Sequence, residues 1–92
     1  MEGKAAFEKE LALLGFDEIL TRDWPPNHFV DTHTHAFEVR ALMLKGEMAL
    51  SCNGKTVTYH AGDVFTLASR QPHTEQYGPV GASYVVGRKH PR

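Results

Sequence analysis

The 92-residue chain has a single cysteine, Cys52, so no disulfide can form within it. A lone thiol suits a reducing compartment. Excess charge of either sign is lacking too. Ten Lys and Arg stand against eleven Asp and Glu, a formal net charge of −1. Bulk charge therefore offers no footing for nucleic acid. No apolar run approaches the ~18 residues that a membrane span needs. Glu2, Glu8 and Glu10 occupy the stretch where a secretion signal would carry its apolar core. The expectation is a soluble, cytoplasmic chain with neither a nucleic-acid nor a membrane partner. Repeats, linkers and low-complexity segments are absent, and 92 residues are too few for two cores, so residues 1–92 read as one domain.

What is present is a dense succession of short extended segments punctuated by Gly and Pro. Phe7, Leu11 and Leu14 recur at i, i+4 and i+7 ahead of Gly15, which predicts a short amphipathic helix over 4–14. Residues 16–20 fit either a strand or a continuation of it, and residues 1–22 read as a helix and arm. Trp24-Pro25-Pro26-Asn27 is a rigid turn, with Trp24 a packing anchor that could line a pocket mouth. Strands are expected over 29–34, 37–44, 47–51, 55–60, 64–67, 74–77 and 82–87. Asn53-Gly54 forms a two-residue hairpin turn between the third and fourth of these. Many short strands with Gly and Pro at the turns predict an all-β sandwich or barrel over 27–87. The basic end Arg88-Lys89-His90-Pro91-Arg92 reads as a frayed, solvated terminus.

The chemistry rests on His33-Thr34-His35 and on His73. On a strand, side chains alternate, so a His-x-His pair presents two imidazoles on one face with Cα atoms ~6.5–7 Å apart. Both rings can turn toward one metal ion, and His73 from a distant, turn-flanked strand closes a triangular face. Imidazole ligation suits Zn, Fe, Ni and Cu alike. If His33 and His35 face inward, Phe37, Val39, Ala41 and Met43 follow in an unbroken strand, while Glu38, Arg40, Leu42 and Leu44 face outward. Glu38 then reaches the metal only through a bulge near Ala36-Phe37; otherwise it is a surface carboxylate beside Arg40. His73 inward carries Glu75 and Tyr77 inward. Glu75 is thus a candidate catalytic acid/base or supporting group next to the metal, or else a charge at the barrel mouth. Tyr59 and Tyr84 are expected to fill the interior. His28 and His60 flank turns and are expected to face solvent, as is His90 in the tail. Cys52, beside the hairpin turn, is expected at the rim and away from the metal.

The run from His33 to Gly46 resembles the first cupin motif: His-x-His, a carboxylate, then Gly. Gly62-Asp63 through Gln71-Pro72-His73 is similar to the second. The resemblance covers about residues 27–87 and implies a double-stranded β-helix, the jelly-roll barrel of small single-domain cupins, with the short N-terminal helix on its outside. It also departs from the family pattern. Val39 stands where the first motif has its carboxylate, with Glu38 one residue early. Ala68 and Arg70 stand where Pro and Gly are common, which implies a differently shaped loop before His73. The resemblance implies one divalent transition metal (Fe, Ni, Mn or Zn) held by His33, His35 and His73, with Glu38 a candidate fourth ligand. It implies dioxygenase, isomerase or lyase chemistry on a small polar or chelating molecule, with a non-catalytic sensing module as the alternative. It also implies a homodimer, since a barrel this small has edge strands to cover.

Overall fold

The computed structural model describes residues 3–91; Glu2 and Arg92, noted above, lie outside them. One helix, α1 (Lys4–Leu13), precedes six strands: β1 (Glu18–Trp24), β2 (Phe29–His33), β3 (Glu38–Cys52), β4 (Lys55–His60), β5 (Val64–Leu67) and β6 (His73–Lys89). All pairings are antiparallel.

Two long strands organise the barrel. The first half of β3 pairs with β5 and with residues 82–89 of β6, which pairs with β1 on its other side. The second half of β3 pairs with β4 and with residues 74–77 of β6, whose first half also pairs with β2. Each half-sheet turns its apolar face toward the other. Val39, Ala41 and Met43 from the first half of β3 share one buried cluster with Met48 and Leu50 from the second, and with Phe65, Leu67, Tyr77, Tyr84 and Val86.

The sequence punctuation misplaced the ends of these strands. Gly46 and the Gly78–Gly81 segment were expected to terminate extended segments, yet β3 and β6 run through them. Gly46 (φ 76°) and Gly81 (φ 73°) take left-handed conformations. A β-carbon on Gly46 would collide with the Gly81 carbonyl, and one on Gly81 with the Trp24 carbonyl. The strands bend here, and the ladder absorbs the bend as register shifts between Met43 and Lys45 and between Gly46 and Met48. Asn53 (φ 52°) and Gly54 (φ 75°) make the expected hairpin turn, both residues left-handed.

Residues 18–22, expected in an arm outside the barrel, and Trp24, expected in a turn, belong to a barrel strand paired with β6 from Glu18↔Arg88 to Trp24↔Ala82. The basic end is not frayed through His90. β6 extends to Lys89, and His90 donates to Asp17 from both its backbone N–H (2.8 Å) and Nδ1 (2.7 Å). Helix α1 covers the outer face. Phe7 and Leu11 pack with Phe16, Leu42 and Val85 in a second cluster. Leu14, expected on the buried stripe, lies past the helix end and is half exposed. Leu42 has the outward parity read from the sequence, and it is buried because α1 lies over it.

Candidate metal centre

His33 ends β2, His35 follows it in the connection to β3, and His73 opens β6 opposite His33. His35 is therefore held by the chain beyond the strand rather than by strand alternation. The Arg70 backbone N–H donates to its carbonyl oxygen at 2.7 Å, which ties the connection to the loop before His73. The three rings converge, with centroids 4.1 Å apart for His33 and His73, 4.9 Å for His33 and His35, and 5.0 Å for His35 and His73. One nitrogen from each lies within 4.8 Å of the other two.

The hydrogen bonds around the rings set their tautomers. His33 Nδ1–H donates to the Asp31 carbonyl (2.8 Å) and His73 Nδ1–H to the Gln71 carbonyl (2.9 Å). A carbonyl only accepts, so Nδ1 carries a proton in both rings, and in the neutral form that a metal ligand takes each ring aims an Nε2 lone pair into the site. Glu75 Oε2 lies 3.2 Å from His33 Nε2 and 3.3 Å from His73 Nε2. Three electron-rich atoms thus face one another. His73 Nε2, on a residue only 2% exposed, has no hydrogen-bond partner among the described residues despite the nearby carboxylate. Such a convergence calls for a cation. Three imidazole nitrogens within 4.8 Å of one another are a donor set that fits a divalent transition metal once the rings close on it. Burial, followed by the charges of His73 and His33, holds His35 down to about 4, which leaves it neutral and ready to ligate at ordinary pH.

Glu75 is itself buried, 7% exposed. Its Oε1 accepts from the Tyr77 hydroxyl. The Tyr77 proton being so committed, Tyr84 O–H donates to Tyr77 (3.4 Å) and in turn accepts from Trp24 Nε1–H (2.9 Å). This line of donors fastens Oε1 and leaves Oε2 to face the imidazoles. Burial pushes the Tyr77 and Tyr84 hydroxyls above their usual range, so both stay protonated as donors.

Glu38 stands elsewhere. It is exposed at the start of β3 and borders a shallow depression with Thr66–Ser69, while its neighbour Val39 faces the core. The bends at Ala36 and Phe37 do not reverse that parity. Arg40, expected beside Glu38, reaches α1 and pairs with Glu10 at 3.0 Å. Among the other expectations, Tyr59 packs against the core and His60 is exposed. His28 is half-buried rather than solvated, because its ring stacks on Trp24 (5.1 Å, 18°). Cys52 lies at the hairpin end, bordering a shallow groove with Pro72 and His73.

His33, His35 and Glu75 open onto a cavity of about 350 Å³, with His73 buried behind them. Its walls are mostly apolar (Val30, Phe37, Val39, Phe65, Leu67 and Val86, with Trp24), but they include Arg22 and Arg88. Both arginines escaped the sequence reading because their segments were taken for an arm and a frayed tail. The available signal was parity: Arg88 shares an inner face with Tyr84 and Val86.

A family model described as a cupin domain matches residues 21–76 of the chain. No curated protein matches it. Among solved structures, a protein of unknown function from Rhizobium leguminosarum is similar with a TM-score of 0.75 at 22% identity, covering 79% of this chain and 69% of that one. A predicted oxalate decarboxylase from Thermotoga maritima aligns with a TM-score of 0.69 at 23% identity, covering 90% and 74%. The polyketide cyclase RemF from Streptomyces resistomycificus aligns at 0.66 and 23%, covering 76% of this chain but only 52% of its own. At these identities the likeness is one of fold, the double-stranded β-helix.

Proposed function

The chain belongs to the cupin family, and on that footing we propose that it is a metal-dependent enzyme acting on a small polar or chelating molecule. One observation carries this reading: the buried His73 Nε2 has no hydrogen-bond partner among the described residues and, with His33 Nε2, converges on Glu75 Oε2. His33, His35 and His73 would hold one Fe, Ni, Mn or Zn ion, which supplies Lewis-acid or redox chemistry to a ligand in its open positions. The apolar walls exclude water from the bound molecule. Glu75 Oε2, free of the Tyr77 hydroxyl, accepts a proton from that molecule and returns it. Two of the neighbours, a predicted oxalate decarboxylase and a polyketide cyclase, are named for different reactions, and dioxygenase, isomerase and lyase chemistry all suit such a site.

Elemental analysis is expected to find one transition metal per chain, and His73→Ala to lose it. Full stoichiometry and affinity in that variant would end the assignment. Turnover or oxygen uptake by the loaded protein with small enols or diketones is the sign of an enzyme. Saturable binding without product would make the protein a sensing module instead.

We also propose that the protein is a cytoplasmic homodimer. What supports a dimer is that β4 forms a sheet edge with five of its six residues exposed, Val57 among them. Sedimentation at micromolar concentration is expected to give twice the chain mass; a monomer there rules the dimer out.

A further inference from the structure

We propose that the molecule handled in the cavity is a carboxylate, recognised by Arg22 with support from Arg88. The proposal rests on the small-molecule reading above but not on the metal. Leu20, Arg22 and Trp24 alternate onto the inner face of β1, and Tyr84, Val86 and Arg88 onto that of β6. The two guanidiniums thus reach one cavity from neighbouring strands. Among the described residues lining it, they and Glu75 are the charged ones, so positive charge is in excess before any ion binds.

Neither arginine is spent elsewhere. Among the described residues Arg22 pairs with no carboxylate, and Arg88 meets only the exposed Glu18, at 3.5 Å, a solvent-screened contact of little strength. Both lie over aromatic rings. The Arg22 guanidinium carbon is 4.7 Å from the Trp24 ring centre, and that of Arg88 is 5.0 Å from Phe37. Stacking fixes the plane of a guanidinium while its in-plane N–H groups remain free to fork a carboxylate. The Phe37 ring also stacks on His35 (4.8 Å, 7°), so Arg88 stands one ring away from the histidine cluster. Arg22 stands beside Trp24, the first donor of the line that ends on Glu75. A ligand forked by Arg22 would lie across an apolar floor with its other end toward the histidines. The cavity, about 350 Å³, is near the lower end of the ~300–1,000 Å³ typical of small-molecule sites, which favours a compact molecule.

An acid and its neutral amide, nearly identical in shape, separate charge from fit. Calorimetry on metal-stripped protein at pH 8, where an ordinary imidazole is neutral, should show benzoate binding at least tenfold more tightly than benzamide. Arg22→Gln should abolish the preference, and Arg22→Lys, which keeps the charge but loses the fork, should retain part of it. Equal affinity for acid and amide in the wild-type protein overturns the proposal with no variant needed, as does a preference that survives Arg22→Gln and Arg88→Gln together. Salicylate against salicylamide on the zinc-loaded protein repeats the comparison with a second donor for the ion. Failure to load zinc would count against the metal reading alone, because the benzoate comparison stands without it.

Discussion

Glu75 carries more of the site than its place in the sequence advertises. The family's carboxylate position in the first motif is filled by Val39, which packs in the core, and Glu38 points away from the site. A carboxylate nevertheless reaches the cluster, from the strand that bears His73. Strand alternation made this legible, because a residue two places after an inward His is also inward. The partners that aim it were not legible, since Trp24 and Tyr84 lie 60 residues apart in the chain. Glu75→Gln and Glu38→Gln are therefore expected to differ. The first should weaken metal binding tenfold or more and change the spectrum of the Co(II)-substituted protein, within the 10–100-fold range typical for groups supporting a metal. The second should change neither. The reverse pattern in a Co(II) titration would mean that the connection at Ala36-Phe37 turns over in solution and brings Glu38 to the ion.

At the level of elements, the loop between β5 and β6 shows how a departure from the family pattern is accommodated. Arg70 stands where the second motif commonly has Gly, and it adopts the conformation a glycine would, with φ 64°. Its backbone N–H is what ties the loop to the His35 carbonyl, so the strained residue positions a candidate ligand. A left-handed conformation costs a non-glycine residue about 1–2 kcal/mol, and glycine gives back roughly 0.5–1 of that through its freer unfolded chain. Arg70→Gly is expected to raise the urea midpoint by an amount equivalent to ~0.5–1 kcal/mol and to leave metal affinity unchanged, because the N–H is retained. A lower midpoint would show that the Arg70 side chain holds the loop. The identity of this residue signalled an altered loop, but the compensation was invisible to it. Gly46 and Gly81 are similar cases. A glycine in a strand pattern can end the strand or bend it through a corner, and only the strand packed across from it decides which.

For the molecule as a whole, barrel closure turns segments that look peripheral into walls of the cavity. Most of β1 and the end of β6 read as arm and tail, and Glu18, Arg22, Asp23, Arg88 and Lys89 give these segments a solvated composition. Pairing them closes the cup and folds two of those charges inward. The same closure partly buries His35, with a consequence for stability against pH. The folded protein holds His35 down to about 4, whereas an unfolded chain binds that proton near 6.5. Between those values the unfolded state carries more protons, so stability rises with pH. The contribution is complete above about pH 6.5 and is lost as pH falls through 4. Since His35 is partly exposed, solvent screening reduces it to on the order of 1 kcal/mol. Urea unfolding of the metal-stripped protein should accordingly show a midpoint that declines from pH 6.5 to 4.5, more steeply in the wild type than in His35→Ala. At pH 7.5, zinc at a hundred times its dissociation constant should add ~2.7 kcal/mol to the wild type by mass action, and much less to the variant. Identical acid slopes in the two proteins would show that the histidine cluster stays open to water without its ion, and that closure of the cup depends on the metal.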